Sequence, residues 1–524
     1  MVLDCGSNNL DTARRDYVHN YARSAAKSTL SPYKAERSLQ VAPSPDDARS
    51  DVVDSYFQQE GPVPFKSTYQ RIAGGSTWSW RGIAVRLTPS DFRTRSLYGV
   101  GIDWPIGYQE LEPFYCLAET ELGVAGSHAV WDGLLGAYRS APFPMDAIPV
   151  SYGDRKLKEY LRERRVVGQL VSLVSTPQAR NSRPYNERPA CAGSASCIPI
   201  CPTGAKYDAT VHLRKALRNG AVIMGNCTAT RLISDENGRI RAVECIDNSR
   251  DVSERRRVVA KVFILAANAI ETAKLWLYSR LRNRSGQVGL NLMDHPARDV
   301  VFYYPEPVYP FRGPQNTSGI EAYRDGPFRK EHAAFRISVG NDGWGRTKHP
   351  FSVVHELLHA SGDGLLLGKA LRARIAETVS RMGRLSYAVE MLPDSQNKVS
   401  LSSRTDALGL PVPSISFSVG SYALDGLRVG GDVVTEIARA IPGASGIRAV
   451  IPPFGFHGSG HLMGTLRMAG SPERGVVDAF GNAFEHPNLY VCGASVFVTG
   501  AAANPTLTVA ALALRTAQHI AEGL

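Results

Sequence analysis

The 524-residue chain is 43% hydrophobic, yet nothing in it approaches the roughly 20 consecutive apolar residues of a membrane span. It therefore has no transmembrane segment of its own and reads as soluble. Its first residues lack the basic start and long apolar core of a signal peptide. No repeat at a solenoid period is present. The net charge is +11, but basic runs such as Arg162-Glu163-Arg164-Arg165 and Arg255-Arg256-Arg257 carry no interleaved aromatics. That pattern suits a solvated surface and excludes a built nucleic-acid site, while leaving an acidic protein partner or an anionic membrane surface open. There are eight cysteines. Five of them, Cys5, Cys116, Cys227, Cys245 and Cys492, are scattered in mostly apolar contexts, which argues against a disulfide framework. The length exceeds what one core holds, so two domains or one split domain are expected.

What is present concentrates near the C-terminus. His461-Leu462-Met463-Gly464-Thr465 precedes Gly475-Val476-Val477-Asp478, then Asn488 to Ser495, then Asn504-Pro505-Thr506-Leu507-Thr508. The apolar run 488–498 predicts a buried strand. Asn504 stands where a helix N-cap would be, with Pro505 at the first helical position and a helix from Thr506 to about His519. Free amides at such a helix start suit the electron-rich edge of a cofactor. Together these segments resemble the C-terminal signature of the glucose–methanol–choline (GMC) flavoprotein oxidoreductases. The resemblance implies that His461 is the catalytic base and that Asn504 hydrogen-bonds the substrate oxygen. It also implies that Gly493, Ala494, Asn504 and Thr506 lie against the flavin.

The chain opens Met1-Val2-Leu3-Asp4-Cys5-Gly6, which reads as a strand closing on an acid and a glycine. The second strand of a Rossmann-type domain ends this way, and its acid, here Asp4, binds the adenosine ribose. A first strand, a Gly-x-Gly-x-x-Gly turn and a helix, about 30 residues of βα unit, would normally precede it. Gly458 to Gly464 has the wrong spacing to substitute. A mis-assigned or truncated start is the expectation, with poor FAD binding by the chain as numbered. Ile72 to Trp80 holds the turn Gly74-Gly75-Ser76-Thr77, whose successive amides make an anion-binding nest. It resembles the family's second flavin motif. Some sugar-oxidising relatives attach FAD through a His near Ser79, which Ser79 cannot do, so noncovalent FAD is implied. The run 258–267 predicts a buried strand ending at Ala267, followed by a helix from Asn268 through Leu277. Gly225-Asn226-Cys227-Thr228 resembles the strand that contacts adenine, with Thr228 contributing backbone. Gly289 to Pro296 matches the family's Gly-x-Asn-x-x-Asp-His-Pro turn, in which His295 reads as structural.

Cys191, Cys197 and Cys201 lie within eleven residues on a loop rich in Gly, Ser and Pro, and Pro202 follows the last. Three thiolates could supply a [3Fe–4S] cluster. Zinc usually takes a shorter first spacing and a fourth ligand, for which His212 is a distant candidate. A disulfide with one reactive thiol, or three thiols, also fits. Segments 177–185, 189–202, 204–207, 98–105 and 390–394 resemble one branch of the family. That branch holds the catalytic subunits of bacterial gluconate, fructose, sorbitol and FAD-dependent glucose dehydrogenases.

The fold class expected is α/β: a Rossmann-like FAD-binding domain without its first βα unit, plus an antiparallel-sheet substrate domain of α+β type. Residues 1–296 form the discontinuous FAD part with the cysteine loop 177–206 inserted. Residues 297–450 form the substrate domain, with strands at 385–391 and 414–419, and 451–524 return to the FAD part. The resemblance implies oxidation of a hydroxyl on a sugar, polyol or sugar acid, with hydride passing to flavin N5. Electrons then leave singly through the cluster to a cytochrome c-type or quinone acceptor. It also implies a small accessory subunit and a periplasmic or membrane-associated location through partners, or otherwise a cytoplasmic one. Rival readings are an oxygen-using flavin oxidase and a non-catalytic, FAD-deficient subunit.

Overall fold

The structure, a computed structural model, describes residues 1–6, 56–343 except 68, 72, 199 and 249–252, and 350–523 except 360–363. Ile72 of the glycine turn and Pro199 of the cysteine loop therefore lie outside the described residues.

The short apolar runs near the start and end of the chain form parallel pairs, as strands buried on both faces do. Val2–Leu3 lies parallel to Ile223–Met224, and Phe263–Leu265 lies parallel to His486–Val491. The predicted strand 258–267 is in fact two. Glu254–Val258 edges an antiparallel sheet with Ile240–Asp247 and Cys227–Ser234, and the chain turns before Phe263. The run 488–498 is likewise shorter than expected as a strand. Gly493 sits at φ 128°, outside the strand range, and a 3-10 turn, Ala494–Val496, follows.

Helix starts follow local capping. Asn268 caps Ala269–Tyr278, its side chain accepting from the amides of Ile270 and Glu271 at 2.9 and 3.1 Å. Asn504 does not behave this way. The helix Thr506–Glu522 starts after Pro505, which is already helical in φ and ψ, and no side chain caps it. This corrects the expected N-cap role, since the Asn504 amide is turned elsewhere.

The second layer is a six-stranded antiparallel sheet. Its order is Ser445–Val450, Ala297–Tyr303, Met382–Val389, Phe335–Val339, Ser318–Ile320, Leu173–Ser175. The last strand is drawn from the segment before residue 297. The helix Ser421–Arg439 packs on this sheet through glycines. A Cβ on Gly430 would stand 2.7 Å from the Tyr387 ring, and one on Gly426 would stand 2.6 Å from the Ala333 methyl. The expected strand at 414–419 belongs to neither large layer. Pro411–Ser416 pairs with Lys398–Thr405 and, in parallel, with Gln58–Glu60. A three-residue Gln-Gln-Glu strand carries no apolar alternation, so that partner leaves no periodic signal.

Beneath the sheet lies a fully desolvated ion cluster. Arg329 and Glu390 are both 0% exposed and meet at 2.7 Å, and Arg329 also reaches Asp91 at 3.0 Å. Removing one partner of such a pair strands buried charge. Arg329→Met is expected to cost about 3–5 kcal/mol of stability, measured as a shift in the urea unfolding midpoint. A surface change such as Arg439→Met should leave the midpoint near wild type.

Candidate active site

Two distant segments cross at the site. Residues 291–297 and 457–463 run antiparallel through the bridges Met293 with Met463 and Ala297 with His457. Reciprocal amide bonds of 2.9 to 3.1 Å hold both bridges. The Asp294 carboxylate locks the crossing. It accepts from the amides of His295 at 2.7 Å, Ser459 at 3.0 Å and His461 at 2.8 Å, and from the Ser67 hydroxyl. The glycines of this loop serve that crossing. A Cβ on Gly458 would lie 2.5 Å from Asp294 Oδ2, and one on Gly464, at φ +95°, would lie 2.1 Å from the Asn291 carbonyl.

The crossing brings two imidazoles together. His295 Nδ1 and His461 Nδ1 are 2.6 Å apart, with ring centroids 4.8 Å apart and planes at 83°. His295 Nε2 faces the carbonyls of Gly500 and Ala501 at 3.0 and 2.8 Å. On the far side of His461, its Nε2 meets Asn504 Nδ2 at 3.4 Å. The structure thus brings His461 and Asn504 together. Burial holds the His461 imidazolium well below its ordinary pKa, and Arg81, with His295 whenever that ring is protonated, adds to this.

The other sequence-predicted residues form a second group. Asp4 ends its strand and accepts from Gly6 N at 2.7 Å; burial raises its carboxyl above the usual range. Cys227 N bonds the Asp4 carbonyl at 2.8 Å, so Thr228 is carried beside the strand end. Gly74 and Gly75 take left-handed φ of 91° and 55°, and nothing lies within 4 Å of a Cβ placed on Gly75. Ser76 Oγ accepts from Gln70 N at 3.2 Å, and Thr77 Oγ1 accepts from Ala209 N at 2.9 Å. Ser79 Oγ stays near Ser76 O at 3.4 Å. Ala267 and Gly493 face each other, a Gly493 Cβ falling 3.5 Å from Ala267 O. Ala494 O accepts from Gly464 N at 3.1 Å. Thr506 opens the last helix.

These residues fit a dinucleotide cofactor on two observations. The Gly75 nest is open where a side chain would stand. The Ser495 hydroxyl and the Gln70 carbonyl are buried without a partner among the described residues, and such atoms call for a polar ligand. Sequence reasoning missed Asp294, Ser67, the His295–His461 contact, and the Arg71–Glu271 pair at 2.6 Å that ties the glycine turn to the helix after Asn268.

The cysteine loop is less resolved in purpose. Cys191 Sγ accepts from Gly193 N at 3.4 Å, Cys197 Sγ from Gln315 N at 3.5 Å, and Cys201 Sγ lies 3.6 Å from Thr203 Oγ1. Among the described residues no disulfide forms and no three ligating side chains gather as a metal set. Burial raises the Cys191 thiol. At Cys201 burial acts the same way but is outweighed by the Lys206 amide, the Thr203 hydroxyl and the Lys206 charge, so its thiol falls. His212, the distant fourth candidate, instead bonds Tyr207 OH at 2.7 Å and Glu121 at 3.1 Å.

The C-terminal strand and helix of a mixed α/β fold thus flank the half-buried His461 imidazole. Residues 176–297 and 393–513 match the N- and C-terminal models described as GMC oxidoreductase. The chain belongs to the GMC oxidoreductase family. It is 35% identical to the fructose dehydrogenase large subunit of Gluconobacter japonicus, over 90% of this chain and 84% of that protein. It is 31% identical to 6'''-hydroxyparomomycin C oxidase of Streptomyces lividus, over 86% of this chain and 79% of that one. Among solved structures, pyridoxine 4-oxidase from Mesorbium loti shares the fold at a TM-score of 0.58 and 17% identity, covering 87% of this chain and 85% of that one. No helix among the described residues is long and apolar enough to cross a membrane.

The lowered His461 pKa has a definite sign. A depressed value keeps the imidazole neutral, and so basic, to lower pH than a free histidine. A titration of ¹⁵N-histidine-labelled protein should place His461 below about 6.5, the free value. A midpoint at or above that value would contradict the burial argument.

Proposed function

We propose that this protein is an FAD-dependent dehydrogenase that oxidises a hydroxyl of a sugar, polyol or sugar acid. The observation that carries the reading is His461 Nε2 facing Asn504 Nδ2 across 3.4 Å, where the C-terminal helix and the turn after the parallel strand converge. Asp4, Gly74, Gly75, Ser76, Thr77, Ser79, Thr228, Ala267, Gly493, Ala494 and Thr506 would hold the cofactor without a covalent bond. FAD there would supply a two-electron acceptor for hydride. The chain's own groups do the rest. The Asn504 amide donates to the substrate oxygen and orients it. His461 Nε2 takes the hydroxyl proton as the carbonyl forms. Burial holds that imidazole neutral to lower pH than a free histidine. The hydroxyl class is supported by relatives named for fructose and for 6'''-hydroxyparomomycin C.

His461→Ala should slow anaerobic flavin bleaching by substrate about 10²–10⁴-fold, the usual worth of a positioned general base, with fold and bound flavin retained. Asn504→Ala should cost less, because it loses orientation and no cap. Near-normal bleaching by the His461 variant would remove it as the base.

We further propose that Cys191, Cys197 and Cys201 would hold a [3Fe–4S] cluster, which would supply one-electron transfer toward a cytochrome c-type acceptor on a partner subunit. Support comes from their spacing and from the relative named as a large subunit. The hydroxyl chemistry at His461 does not depend on that cluster. Six of the relatives are named oxidases, which supports oxygen as the alternative acceptor. Protein purified without air from a host with cluster-assembly machinery should contain iron and an oxidised-cluster paramagnetic signal, both lost on Cys197→Ser. Zinc or no metal at these cysteines, with stoichiometric peroxide during turnover, would favour the oxidase.

A further inference from the structure

His295 is more than a turn residue. Its Nε2 lies 3.0 and 2.8 Å from the Gly500 and Ala501 carbonyls. Carbonyl oxygens only accept, so Nε2 carries a hydrogen. A neutral His295 then has a bare Nδ1. That nitrogen is 2.6 Å from His461 Nδ1, and two lone pairs cannot face each other at this distance. One hydrogen lies between the rings, and it belongs to His461. The consequence falls on the opposite side of the His461 ring. With Nδ1 protonated, the neutral imidazole leaves Nε2 bare, and Nε2 is the atom that faces Asn504.

We propose that His295 is a positioning residue that selects the Nδ1–H tautomer of His461 and so aims its lone pair at the substrate hydroxyl. This rests on the reading of His461 as the base. The backbone pins the selector in place. Gly500 N bonds Met391 O at 3.0 Å, and Ala501 adopts φ 51°, a left-handed conformation that non-glycine residues rarely take. Ser459 Oγ bonds His295 O at 2.7 Å. After His461 takes a proton at Nε2, its Nδ1–H still donates to His295, so the imidazolium keeps a hydrogen bond. If His295 itself carried two hydrogens, the polarity would reverse. Its Nδ1–H would donate to His461, Nε2 would hold the hydrogen, and the base would be lost. The other charged groups facing the pair are Arg81 and the Asp294 carboxylate, which is bonded to both backbone amides.

The test compares the flavin-loaded enzyme with His295→Leu and His295→Asn, labelled with ¹⁵N-histidine. The His461 resonances are identified by their loss in His461→Ala. Asn places an amide oxygen near the Nδ1 position and keeps the acceptor, whereas Leu fills the space without one. In wild type, above the titration midpoint, His461 should show protonated Nδ1 and bare Nε2. Leu should lose that pattern and slow anaerobic flavin reduction by about 10²-fold or more, within the range a general base supplies. KM should change little, and the acid limb should move to lower pH, since the imidazolium loses an acceptor. Asn should retain the tautomer and recover most of the rate.

A wild-type spectrum with Nε2–H overturns the proposal, and this holds even if the Leu variant does not fold. So does a Leu variant with wild-type tautomer and rate, or an Asn variant no better than Leu. Failure of the base reading looks different: His461→Ala would reduce flavin normally, whatever tautomer the wild type shows.

Discussion

The Asp294 carboxylate is the contact on which the site's geometry depends. Four donors converge on its two oxygens: three backbone amides and the Ser67 hydroxyl. Hydrogen bonds to an ionised acceptor are roughly twice as strong as neutral ones. Here they join three stretches of chain that are far apart in sequence. An uncapped crossing of two backbones would leave the amides of Ser459 and His461 without partners. The carboxylate satisfies them and fixes the angle at which the two segments meet. Gly458 follows from this, because any side chain there would strike Asp294 or Ser67.

The imidazoles inherit their precision from backbone rather than from neighbouring side chains. His461 hangs from the Asp294 crossing. His295 hangs from the same crossing and is braced against carbonyls 500 and 501. That stretch is held by Met391 O and by Thr499 Oγ1, which accepts from Trp104 Nε1 at 2.9 Å. Met391 follows Glu390, the residue clamped by buried Arg329. The ion cluster and the His295–His461 pair are therefore linked by one short run of chain. Supporting contacts of this kind hold a reactive group within the few tenths of an ångström that catalysis requires.

Much of this was legible in sequence, and the part that was not has a common cause. His461 and Asn504 could be found because their flanking glycines, strand and helix are local patterns. Asn268 could be read as a cap for the same reason. Asn504 could not, since local rules assign an Asn before Pro to capping, and only the fold shows the amide turned to an imidazole 43 positions away. The His295–His461 contact spans 166 positions, and no periodicity encodes such a pairing. His295 looked structural because an Asp-His-Pro turn accounts for itself locally. The strand Gln58–Glu60 was invisible because its pairing supplies the order that its composition does not. At the cysteines, spacing was readable but the direction of each sulfur was not. Spacing limits which ligands are reachable, whereas the backbone of a Gly- and Pro-rich loop decides where they point.

That loop is nonetheless tied to the glycine turn. Lys206 is buried, and burial lowers its pKa to about 8. Its ammonium donates to the carbonyls of Trp78, Trp80 and Cys197. A lysine has three hydrogens to give, and each finds a carbonyl, which is why the charge can be held inside. Two of those carbonyls belong to the glycine turn and one to the cysteine loop. Trp80 Nε1 adds a bond of 2.7 Å to Tyr207 O, one residue beyond. The loop is thus ordered by a cation and the backbone, independently of what the sulfurs hold. A group bound at the cysteines would meet a loop already fixed on the side facing the glycine turn. The stretch between Cys191 and Cys197 is anchored separately, by the bridge of Ser194 with Gly313, in which Ala195 N bonds Gly313 O and Gly313 N bonds Gly193 O, both at 2.9 Å.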